Sequence, residues 1–105
     1  MFDLEQMDRQ TLNDPALRDE VLRLFVDQLG QALEILRDPM KGKDELQSLA
    51  HQILGTARAL GARPLAEVAH GIEQEMPNAD PAKFQQLLSI TRAEAMALLE
   101  RPRSG

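Results

Sequence analysis

The chain has 105 residues, no cysteine and a net charge of −5, with 43% hydrophobic, 28% charged and 3% aromatic residues. That length supports one domain with one core, the lack of cysteine excludes disulfides and thiolate metal sites, and the acidic balance argues against nucleic acid as the main partner. The apolar runs are too short to span a bilayer, and the acidic start Met-Phe-Asp-Leu-Glu lacks the basic flank and apolar centre of a signal peptide, so a cytoplasmic protein without membrane contacts is expected.

Leu, Ala, Glu, Gln, Met and Arg dominate while Val, Ile and Thr are sparse, a balance that favours helix over strand. Residues 2–11, with Phe2, Leu4 and Met7, read as a short helix or arm laid against the rest of the chain. Asn13-Asp14-Pro15 starts the first long helix: Asp14 caps it, and Pro15 occupies the first turn, where its missing N–H does no harm. Leu17, Val21, Leu24, Phe25, Ala32, Leu33 and Leu36 mark its buried face, Asp38-Pro39 ends it, and Met40-Lys41-Gly42-Lys43 forms a loop. Asp44 or a neighbour opens the next helix, whose apolar stripe is Leu46, Leu49, Ala50, Ile53, Ala57 and Leu60. It stops at Gly61, a residue suited to a left-handed cap. The connector Gly61-Ala62-Arg63-Pro64 is short, so the following helix is expected as an antiparallel neighbour.

That helix carries the stripe Leu65, Val68, Ala69, Ile72 and Met76 and closes at Pro77. Asp80-Pro81 repeats the cap-plus-proline start, and Phe84, Leu87, Leu88, Thr91, Ala95, Leu98 and Leu99 keep helical spacing to about Glu100. Residues 101–105 read as a frayed tail. The predicted architecture is all-α: an antiparallel up-and-down four-helix bundle over residues 14–100, preceded by an arm over 1–12, in a single domain. One buried stripe per helix predicts a monomer.

Within the second long helix, His51 lies roughly 140° from the centre of the apolar stripe and Gly55 roughly 180°. The imidazole is therefore expected to face solvent, with a residue lacking a side chain one turn C-terminal to it. Glycine inside a helix costs about 1 kcal/mol relative to alanine. A steric reason fits: something large approaches the ring, and bare backbone lets it in. Charge is uneven around this site. Residues 1–40 hold four arginines against nine acids, residues 64–105 hold four basic groups against six acids, and only residues 41–63 are net positive, with Lys41, Lys43, Arg58 and Arg63 against Asp44 and Glu45. Such a segment suits an acidic pocket or a phosphoryl group. Gln47 and Ser48 flank His51 on the wet side, in position to orient its ring. His70 reads as a solvated side chain, the methionines as core filler. No metal site is expected, because His51, His70 and Glu73 include no tight ligand pair.

The run Ala50-His51-Gln52-Ile53-Leu54-Gly55-Thr56-Ala57, followed by Leu60-Gly61-Ala62 and then by Leu65, Val68, Ile72 and Glu73, resembles the motif of histidine-containing phosphotransfer (HPt) domains. These domains serve multistep two-component phosphorelays. The resemblance implies that His51 accepts a phosphoryl group from a receiver-domain aspartyl phosphate and passes it to another response regulator. The implied partners are receiver domains and a hybrid sensor histidine kinase. By the same resemblance the chain is a phosphohistidine carrier rather than an enzyme with kinase activity, has no cofactor of its own, and meets Mg²⁺ on the receiver. No Gly-rich phosphate loop or nucleotide motif is found, in keeping with that division.

Two positions depart from the family pattern: Leu54 stands where a lysine is usual, and Thr56 replaces a serine. Arg58 lies only about 20° around the helix from His51 and leans back toward it, so its guanidinium is placed to supply the missing charge. Leu54, at the border of the stripe, is alternatively an apolar docking patch, and Glu73 matches a position near the histidine often held by Glu or Gln. The rival reading is an adaptor of the same fold that binds a signalling protein without phosphotransfer, with Leu54 as the feature favouring it. A cofactor-binding bundle, the third reading, lacks inward ligand pairs such as Glu-x-x-His on facing helices.

Overall fold

A computed structural model describes residues 2–38, 40, 42–75 and 80–100, Lys43 by its backbone only. Within these described residues five helices follow one another: α1 (Leu4–Gln10), α2 (Pro15–Leu36), α3 (Lys43–Leu60), α4 (Arg63–Glu73) and α5 (Pro81–Glu100). Among the described residues there is no strand. α3 packs on α4, α4 on α5, α5 on α2 and α2 on α3, which closes a four-helix ring, and α1 lies against α3.

The helix starts follow from their caps. The Asp14 carboxylate accepts from the backbone N–H groups of Ala16 at 3.0 Å and Leu17 at 3.3 Å, and Asp80 accepts from Ala82 N–H at 2.9 Å. Helix α3 begins one residue earlier than Asp44, at Lys43, with Gly42 as N-cap and Asp44 and Glu45 in the first turn, where acids complement the helix dipole. Its far end is closed as the sequence anticipates. Gly61 adopts the left-handed conformation (φ 74°), Ala62 N–H donates to the Ala57 carbonyl at 2.8 Å, and Gly61 N–H donates to the Arg58 carbonyl at 3.3 Å. These are the paired bonds of a Schellman cap. Arg63 and Pro64, read from sequence as connector, belong to α4, so the turn between α3 and α4 is shorter than expected.

The core is aliphatic with two fully buried rings, Phe25 and Phe84. All of the α3 stripe except the half-buried Leu46 is inside. On α2 the buried face is rotated relative to the sequence reading. Leu22, Phe25, Leu29 and Ala32 point inward, whereas Leu24, expected in the core, is 64% exposed. The cause is the placement of neighbours: α5 and α3 flank the line through Leu22, Phe25 and Leu29, and Leu24 lies one step outside it. Leu17 and Val21 are half-buried at its margin. On α4 the stripe Leu65, Ala69 and Ile72 is buried and Val68 half-buried; Met76 and Pro77, like residues 101–105, lie outside the described residues.

The arm closes one end of the bundle. Phe2 meets Phe25 edge-on with ring centroids 6.1 Å apart, and its backbone N–H donates to Glu94 of α5 at 3.2 Å. Asp3 N–H donates to the Gly61 carbonyl at 3.1 Å, the Gln6 side-chain amide donates to the Arg58 carbonyl, and Arg63 pairs with Asp3 at 3.2 Å. No helix of the described residues is long and apolar enough to cross a membrane.

Candidate functional site

Burial of Leu49, Ala50, Ile53, Ala57 and Leu60 against the neighbouring helices fixes the rotation of α3 and turns His51 outward. Its side chain is 73% exposed. The ring is nevertheless held: Nδ1 lies 2.5 Å from Oε1 of Glu73 on α4, a carboxylate only 22% exposed. An ionised carboxylate only accepts, so it selects the tautomer of the neutral ring with the proton on Nδ1 and the lone pair on Nε2. The Gln47 side-chain amide donates to the Glu73 backbone carbonyl at 3.3 Å. Gln47 thus acts on the residue that orients the ring, one step removed from the contact suggested by its position on the wet face. The two contacts reflect the register of the neighbouring helices, with His51 level with Glu73.

Gly55 is exposed, and a Cβ built on it would meet nothing within 4 Å. Among the described residues no packing asks for glycine there. Together with His51, Leu54, Arg58, His70, Glu73 and Gln74 it lines a shallow groove of about 300 Å³ between α3 and α4.

The structure thus gathers His51, Gly55, Arg58 and Glu73 around one groove, as well as Leu54, although that side chain is only 5% exposed. Leu54 is core with one edge toward the groove, so it offers little as an apolar docking patch. The reason is its neighbour: α4 covers the flank of the stripe on which Leu54 lies. Thr56 is half-buried and outside the groove lining. His70, read from sequence as a solvated side chain, is half-buried in the groove wall, and Gln74 joins it. Neither carries a mark in the sequence; both follow from the α3–α4 register. Among the described residues no cluster of three or more His, Cys, Asp or Glu could hold a metal ion.

The site is thus an exposed imidazole in the middle of a helical bundle, oriented by a carboxylate on the neighbouring helix. The comparisons make that specific: residues 20–101 match the Hpt domain, and the chain belongs to that family. A phosphorelay role based on phosphotransfer follows from membership. Neither the curated proteins nor the solved structures gave a match.

Proposed function

We propose that the protein carries a phosphoryl group on Nε2 of His51 between aspartates of receiver domains. The observation that supports this most directly is the pairing of a mostly exposed His51, held at Nδ1 by Glu73, with the open backbone at Gly55. The Nε2 lone pair attacks phosphorus of the aspartyl phosphate in line. The N–P bond forms as the P–O bond breaks, and the aspartate leaves as a carboxylate. Positive charge gathering on the ring is met by Glu73, which can take up the Nδ1 proton. The reverse step hands the group to a second aspartate. The chain contributes the nucleophile and the approach surface, and the receiver contributes Mg²⁺ and its acidic pocket. Arg58 lines the same groove and adds positive charge for the moving phosphoryl.

The test is incubation with a phosphorylated receiver domain. Acid-labile, base-stable label on the wild-type chain and none on His51→Gln, with helix content unchanged, is the expected result. Binding to the receiver without label would sink the carrier reading and leave the adaptor.

A further inference from the structure

We infer that His70 is a second phosphoryl-contacting group of this site, a protonatable side chain from α4 that steadies the phosphoryl once it sits on His51. The inference rests on the carrier reading above and adds to it a residue that no sequence motif marks.

The register carries the argument. Helices α3 and α4 run antiparallel through the tight Gly61-Ala62 turn, and His51 is level with Glu73. Three residues further along α3 and three residues back along α4, about 4.5 Å of helix axis, Leu54 is level with His70. Leu54 is buried and brings no charge. His70, half-buried, lines the groove at that level, beside the open space over Gly55.

Charge gives the second line. The groove's charged and titratable lining, among the described residues, consists of His51 and Arg58 from α3 and His70 and Glu73 from α4. Helix α5, packed on α4, sends no charged side chain into it, and Glu67, one turn before His70, is exposed and outside the lining. A phosphoryl on His51 brings close to two negative charges beside the Glu73 carboxylate. Counting the proton that His51 Nδ1 shares with Glu73, the phosphorylated pair carries close to two net negative charges, which Arg58 alone does not balance. A protonated His70 adds a donor and a positive charge on the α4 side, and the neutral ring adds only a donor.

Loading the full chain with phosphoramidate and following the ³¹P signal of phospho-His51 at pH 6.5 and pH 8.5 tests this without any receiver. Relative to wild type, His70→Gln is expected to shorten the lifetime roughly threefold at pH 6.5, the order of an exposed ion pair, and to leave it unchanged at pH 8.5. His70→Lys, charged at both values, is expected to keep the wild-type lifetime at pH 6.5 and to lengthen it at pH 8.5. Equal lifetimes for His70→Gln and wild type at both pH values would overturn the inference. So would the same shortening at both, since a packing defect has no such pH dependence. If wild type loads on His51 but exchanges nothing with a phosphorylated receiver, the carrier reading has failed and the lifetime result still decides the role of His70.

Discussion

Gly55 and Gly61 belong to the same helix, one in its middle and one at its end, and their surroundings are opposite. At Gly61 the backbone is left-handed, and an added Cβ would lie 2.5 Å from the Asp3 Cβ and 2.9 Å from the Asp3 backbone nitrogen. The interior of the molecule demands glycine twice over. At Gly55 the backbone is ordinary helix and the space is empty. A residue that costs helix stability and relieves no internal contact fits the function proposed above, in which a partner approaches the middle of α3. The arm-covered end is structural scaffold.

Alanine at Gly61 is the strongest way to separate the two regions. Left-handed strain and displacement of the arm together cost about 2 kcal/mol, a drop of about 8 °C in Tm, with phosphoryl acceptance at His51 unaffected in the folded fraction. A calorimetric Tm equal to wild type would show that the arm does not seat against Gly61 as described.

Gly55→Ala should do the reverse. Removing a glycine from an exposed helix interior gains about 0.5–1 kcal/mol, read as a higher Tm. Transfer from a phosphorylated receiver should slow by several-fold, and Gly55→Leu should slow it further. Unchanged transfer in both variants would remove the steric argument for the approach path.

Smaller effects belong to the contacts that seat the arm. Gln6→Ala releases the hydrogen bond to the Arg58 carbonyl in the last turn of α3, for which about 0.5–1 kcal/mol is expected in denaturant unfolding. Arg63→Ala breaks the pair with Asp3, but the arginine side chain is 74% exposed, so screening keeps the loss below about 0.5 kcal/mol. A transfer defect in either variant would contradict the division between open middle and closed end.

Legibility in the sequence follows the same division between local and non-local causes. The Asp14-Pro15 and Asp80-Pro81 starts, the Gly61 cap and the α3 stripe were readable because caps and periodicity act within a few residues. The outward direction of His51 followed from that stripe. Leu24 is exposed and Leu54, at the border of the stripe, is buried, because an amphipathic helix has a stripe with two margins and only the neighbouring helices decide which margin is covered. On α2 the covered line runs through Leu22 and Leu29; on α3 it takes in Leu54.

By itself the sequence determined that this chain makes helices, where most of them begin and end, and which histidine faces out, since each depends on spacing and short-range capping. Tertiary structure decided how α3 and α4 slide past each other, and hence that Glu73 holds Nδ1 of His51, that Gln47 holds Glu73, and that His70 shares the groove. Those contacts join residues more than twenty positions apart in sequence, and the register that joins them is set by the tight turn and by packing across two helices.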